Sequence, residues 1–357
     1  MGILWRRTTG TATQPYGNSG GGSRFTASEV AADLPNDPRA LVEGMIRSHR
    51  SALLLRPKLA QDLEPAALRI AIDHFRKDTC FVPAGRVRLN RWQVDADATS
   101  DVIDATDCIV VDAFFLERLA ITNRQFQAFV DQGCYRKKSL WQAAVWPVVK
   151  EFVDRSGTPG PRFLSVGCYQ ASEADHPVVG ISWFEADAYS RWIGMRLPTD
   201  AEWVRAACSP IEAGDAIVQR KYTWGDSFLA ERANLRNSHT GQTAPVEAYA
   251  SGDSVGGARQ MIGNVWEWTS SNLQLWNGRD PIELIEPMKS LRGGAFDSFL
   301  DTHATCQCRS ADSPLARRHN IGFRCAVSAW DVVATASPVD ERPHHRPTAT
   351  GESEARQ

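Results

Sequence analysis

Apolar positions fall into helical spacing in only a few parts of this chain, and three of those parts open on the same polar signal. Thr122 is followed by Gln125, Ser182 by Glu185 and Thr199 by Glu202. At this spacing an N-cap hydroxyl and an N3 carboxylate or amide satisfy two backbone N–H groups reciprocally. Phe126, Phe129 and Val130 then share one face, with Gly133 as a stop. Ala186, Tyr189, Trp192 and Ile193 follow the second signal and end at Gly194, while Trp203, Ala206 and Ala207 follow the third. The pattern predicts three short helices. Pro198 keeps its predecessor extended, so the last two meet at a sharp corner.

Two further helices are predicted nearer the start. Asp37-Pro38 offers an N-cap with proline at the first helical position. Leu41, Met45, Ile46, Leu53 and Leu54 follow at spacings compatible with one buried face. A second helix is expected from Pro65 to Phe75 on Leu68, Ile70, Ile72 and Phe75. Elsewhere short apolar runs (Phe81-Val82-Pro83, Ile109-Val110-Val111, Trp266-Glu267-Trp268) alternate with Gly, Asn and Asp, which predicts short strands and long loops. An extended backbone through residues 263–268 would place Asn264, Trp266 and Trp268 on one face and Val265 and Glu267 on the other. Residues 1–36 are Gly-, Ser- and Thr-rich and read as a mobile arm, and the proline-bearing tail over 331–357 reads as disordered. Between them lie a helical segment over 37–78 and a main domain over 79–330.

Composition narrows the class. The 357 residues are 43% hydrophobic and 23% charged, as in ordinary globular proteins, and the net charge of −2 gives no pull toward nucleic acid or an anionic membrane. No run approaches the roughly 20 apolar residues of a bilayer helix. Met1 to Arg7 leads into Thr- and Gly-rich sequence and not into the apolar stretch of a secretion signal, and Arg6 departs from a myristoylation signal. Eight scattered cysteines suggest free thiols and a cytoplasmic setting. Ten of the 12 tryptophans lie from Trp92 to Trp276, so large rings should organise that region.

Ordered landmarks give the chain a family likeness. They begin with Phe81-Val82-Pro83-Ala84-Gly85, Leu119-Ala120-Ile121-Thr122-Asn123, His176-Pro177-Val178 and Ile181-Ser182-Trp183. Arg196-Leu197-Pro198-Thr199-Asp200-Ala201-Glu202-Trp203 and Tyr222-Thr223-Trp224-Gly225-Asp226 come next. Met261 to Trp268 (Met-Ile-Gly-Asn-Val-Trp-Glu-Trp), Arg292-Gly293-Gly294-Ala295-Phe296 and Ile321-Gly322-Phe323-Arg324-Cys325 complete the set. From Phe81 to Ala326 this succession resembles the formylglycine-generating-enzyme, or sulfatase-modifying-factor, family. The resemblance implies an α+β, C-type-lectin-related fold, low in regular structure, with loops fixed by buried aromatics and calcium.

It also implies an oxidoreductase chemistry. Catalytic members use two cysteines, five positions apart, to bind copper(I) and convert a cysteine of a protein substrate such as a sulfatase into formylglycine; soft thiolates suit that metal. Cys306-Gln307-Cys308-Arg309 matches the end of their motif, which assigns Cys306 and Arg309 to the catalytic positions. Asp301 stands where the first cysteine belongs, and Cys308 and Asp301 are the candidate substitute ligands. Cys306 and Cys308 can equally be small packing residues. One calcium site would map to Gln260, Glu267 and the carbonyls of Gly263 and Val265, and a second to Asn234 and the carbonyl of Leu235. The polar stretch between Phe296 and Ile321, with His303, Arg317 and Arg318, would line the groove for a protein or peptide substrate.

Two alternatives use the same fold. Iron-dependent sulfoxide synthases need an N-terminal His-x-x-x-His-x-Glu set, which His49 and His74 do not supply. A non-catalytic binding or accessory module would use the 297–320 surface, as variable proteins of this fold do. Its warrant is the missing cysteine partner. His176 and His239 read as structural histidines.

Overall fold

The computed structural model describes residues 38–90, 92–93, 106–277, 280–299 and 304–333. Helix α1 (Pro38–Arg47), the single turns α2 (Ser51–Leu54) and α3 (Pro57–Ala60), and α4 (Pro65–Asp78) make the N-terminal part. Five strands succeed them: β1 (Thr79–Val82), β2 (Gly85–Asn90), β3 (Trp92–Gln93), β4 (Thr106–Val111) and β5 (Phe114–Glu117). Three helices come next: α5 (Asn123–Asp131), α6 (Trp183–Trp192) and α7 (Asp200–Cys208). Strands β6 (Ile211–Ala213), β7 (Ala216–Val218), β8 (Trp266–Asn272), β9 (Leu275–Asn277) and β10 (Asp280–Ile282) lead to the closing set. That set is β11 (Lys289–Arg292), β12 (Arg309–Asp312), β13 (Ile321–Gly322) and β14 (Ala326–Ser328).

All three capping boxes form. Thr122, Ser182 and Thr199 each accept from the N3 backbone N–H while Gln125, Glu185 and Glu202 reach back to the N-cap N–H. Gly133 and Gly194 take positive φ (66° and 81°) just past α5 and α6, where the pattern places stops. The first apolar run is not one helix. It breaks between α1 and α2 at His49, which has φ 61°, and the bend carries the His49 ring inward to Glu117.

The strands form small sheets. β5 lies between β1 and β14, all antiparallel, and β2 pairs with β4. The largest sheet has the order β12-β11-β8-β13, with β13 parallel to β8. The extended run expected from Gly263 does not start until Trp266: Gly263 and Asn264 both have positive φ (80° and 65°). A Cβ on Gly263 would lie 2.6 Å from the Asn234 carbonyl oxygen, so this crossing requires glycine. Asn264 therefore does not share a strand face with Trp266 and Trp268.

One apolar cluster joins Val42, Met45, Leu55 and Phe75 of the N-terminal part to Phe126, Phe129, Tyr189, Trp192 and Phe323. Phe126 stacks on Tyr189 at 5.3 Å, with Phe323 edge-on to both. The N-terminal helices thus share a core with α5 and α6. A second cluster holds Trp203, Val87, Met261, Tyr222 and Cys306. Trp203 Nε1 donates to Glu267 Oε2 (2.8 Å), and Glu267 bonds Arg324, beside Phe323, so the two clusters meet at one carboxylate. Residues 331–333, expected to open the tail, are part of the packed structure. Val332 is buried, and Val333 N–H donates to the Leu55 carbonyl (3.0 Å).

Candidate functional site

The Cys306 turn is held from three sides. Cys306 N–H donates to the Lys221 carbonyl (2.9 Å), and Cys308 N–H to the Thr305 carbonyl and hydroxyl (3.0 and 3.1 Å). Arg292, from β11, donates to the carbonyls of Gln307 and Cys308 (3.0 and 3.3 Å). Its other nitrogen meets buried Asp200 at 2.9 Å, while Arg309 on β12 lies 3.5 Å from the same carboxylate oxygen. Ser290 and Thr269 donate to Asp200 as well (both 2.9 Å). Burial would raise the Asp200 carboxyl, but Arg292, then Arg309 and Ser290, bring it below the usual range. Asp200 is thus the anchor of the turn. It stands within one of the sequence landmarks, but an aspartate in the first turn of a helix carries no local sign of this role.

Cys306 itself is a core residue, with no exposure. Burial, then the nearby Cys208, pushes its thiol well above the ordinary range. Cys308 is half-buried, and burial pushes its thiol to about 11 despite Arg292. Asp301 and His303 lie outside the described residues.

The described residues between Phe296 and Ile321 do not form one open row of side chains. Arg317 is half-buried: its Nε lies 3.0 Å from Glu185 Oε2, and its terminal nitrogens donate to the carbonyls of Val153 and Gly160. It is held by these bonds and also lines the cleft beside this segment. Arg318 is exposed and pairs with Asp312 at 2.8 Å. His319 lies 3.4 Å from Asp297, which also takes two bonds from Asn320 (3.1 Å each). Beside this segment opens a cleft of about 630 Å³, lined among others by Phe152, Phe163, Arg155, Arg162 and Leu315.

The family model for the sulfatase-modifying factor enzyme 1-like domain matches residues 73–329. The chain belongs to the sulfatase-modifying factor family. Its relatives include the hercynine oxygenase of Mycolicibacterium thermoresistibile, 34% identical over 68% of this chain and 54% of that protein. The hercynine oxygenase of Mycobacterium tuberculosis is 30% identical over 87% of this chain and 76% of its own length. The formylglycine-generating enzyme of Thermomonospora curvata is 29% identical over 70% and 93%. The chain thus spans about half of the first of these relatives.

The calcium and copper expectations can be tested on the side chains of this family member. Glu267 has both oxygens bonded by Arg324 (2.7 to 3.0 Å) and one by Trp203, so a guanidinium already meets its charge. Gln260 donates to the carbonyls of Pro245 and Ala248 (2.9 and 3.0 Å) and accepts from Asn264 (2.7 Å). The Gly263 carbonyl accepts from Val265 N–H at 2.9 Å. At the second position Asn234 donates to Asn264 and the Gln242 carbonyl and accepts from Thr240. Leu235 N–H bonds Ser238. A chain of amides and backbone carbonyls closes these loops around the one carboxylate, Glu267. Cys306 is enclosed within the second apolar cluster.

Proposed function

We propose that this protein is a non-catalytic binding module of the sulfatase-modifying factor family, working through the 297–320 segment and the cleft beside it. The observation that carries this reading is Cys306. Thiol oxidation by copper and oxygen needs an accessible thiolate pair, and this thiol is fully buried and held protonated by its surroundings. Arg309 supports the same conclusion, because its neighbour is Asp200 and its strand ties the turn to the sheet. All eight cysteines are free thiols, which favours a reducing compartment such as the cytoplasm. No helix of the described residues is long and apolar enough to cross a membrane. The test is incubation of reduced, copper-loaded protein with oxygen and a Cys-x-Pro-x-Arg peptide. No aldehyde should form; catalytic aldehyde production would overturn the reading.

A second reading is favoured by the hercynine oxygenase relatives, one of which matches along most of this chain. On it, the chain supplies an oxygenase with its small-molecule-binding half. Assay with hercynine, Fe(II), oxygen and a thiol donor separates the two: formation of a carbon–sulfur bond would establish the oxygenase reading.

A further inference from the structure

The cleft beside the 297–320 segment combines apolar side chains with exposed arginines. Its volume of about 630 Å³ lies within the roughly 300–1,000 Å³ of small-ligand sites. Phe152, Phe163, Val148 and Leu315 supply apolar surface. At its mouth Arg155 and Arg162 both flank one ring: their guanidinium carbons lie 5.8 and 6.0 Å from the Phe163 centroid. Both are exposed, and among the described residues neither guanidinium meets a carboxylate.

The other charged residues lining the cleft are Glu151, Asp154 and Arg317. Arg317 is engaged by Glu185. Asp154 turns into its own loop, where Ser156, Thr158 and Gly167 N–H groups bond it (2.7, 3.0 and 2.7 Å). These bonds overcome the effect of burial and hold its carboxyl below the usual range. Glu151 is exposed at the rim. The loop presenting the arginines is fixed by backbone bonds, Arg155 N–H to Leu164 (3.3 Å) and Arg162 N–H to Gly180 (2.8 Å). Phe163 packs on Gly180 so closely that a Cβ there would lie 2.6 Å from the ring.

We infer that this cleft binds a small carboxylate with a flat apolar body, the body on Phe152 and Phe163 and the carboxylate between Arg155 and Arg162. Planar guanidiniums recognise carboxylates through paired N–H donors, and the ring beneath them takes an aromatic face. The inference rests on the binding-module reading and names the ligand class for it. A bare anion would leave the apolar floor wet, and a neutral ring would leave both cations unmatched.

The test is calorimetric titration of the full chain with indole-3-propionate and with its uncharged amide. The carboxylate should bind about tenfold more tightly, the effect of one charge-assisted bond pair. The R155Q/R162Q double variant should erase that preference while keeping the wild-type unfolding midpoint, since neither side chain is tied into an ion pair. Phe163→Ala should weaken both ligands. Equal affinity for acid and amide, no binding of either, or a preference surviving in R155Q/R162Q would overturn the inference. Failure of the parent reading shows separately: aldehyde formation on the cysteine peptide contradicts non-catalysis whatever the cleft binds.

Discussion

Arg324 and Glu267 meet as a buried bidentate pair, Nη2 to Oε1 at 2.7 Å and Nε to Oε2 at 2.8 Å, with side-chain exposures of 0% and 2%. Arg324 also donates to the carbonyls of Glu117, Arg118 and Arg259, so this one side chain ties β5, the loop before β8 and the chain's last third together. Removing one partner leaves a buried charge unmatched, whereas replacing both with apolar groups does not. Glu267→Gln should therefore lower unfolding free energy by about 3–5 kcal/mol in urea titrations. A double replacement of Glu267 and Arg324 by Met should cost less than the sum of the two single losses. Two losses that simply add would show that the pair is not coupled in this way.

His49 links the N-terminal helices to the sheet through its 2.6 Å contact with Glu117, with Gln125 Nε2 at 3.2 Å and Asp78 at 3.6 Å from its other nitrogen. Burial lowers the imidazole pKa, but the Glu117 bond and charge, with Asp78, raise it above 6.5 on balance. A raised histidine contributes stability that is complete below pH 6.5 and fades as pH rises through the folded value. Asp78, raised chiefly by burial, acts in the same direction but in the acid range, above 3.8. Stability should thus fall from pH 6 into the alkaline range, and His49→Gln should flatten that part of the profile. An unchanged slope in the variant would remove His49 as its source.

Thr199 caps α7, and the same box brings Glu202 to Arg196. Thr199→Ala should cost about 1 kcal/mol by losing the cap alone. Thermal unfolding would register this as a drop of a few degrees, with no change in ligand binding.

Thiol accessibility follows the burial pattern. Cys108 and Cys168 are exposed and should react promptly with Ellman's reagent in the native state. Cys308 should react slowly, its thiol lifted to about 11. Cys306 and Cys325 should appear only on unfolding. Prompt modification of Cys306, located by peptide mapping, would contradict its placement.

The three capped helices could be read directly because their signals are local: each hydroxyl and its N3 partner lie within one turn. The family fold was legible from ordered landmarks that include Trp203, Glu267 and Phe323. What escaped sequence inspection depends on distant partners. The bend at His49 is stabilised by Glu117, 68 positions away, and nothing near His49 announces it. The partner of Glu267 is Arg324, 57 positions on, which no local pattern beside Gly263 and Val265 announces. Arg317 reads as one of a basic surface cluster, yet Glu185, 132 positions earlier, draws it into the interior. Asp200 anchors the Cys306 turn through Arg292, which only the pairing of β11 with β12 brings within reach.

On the proposed reading, Cys306 is a packing residue and not a copper ligand. Copper(I) affinity, measured by competition with a chromophoric chelator on fully reduced wild-type protein and on Cys306→Ser, decides between the two roles. The two proteins should compete equally weakly. A tight wild-type site that Cys306→Ser abolishes in a still-folded protein would show that the thiol binds metal after all.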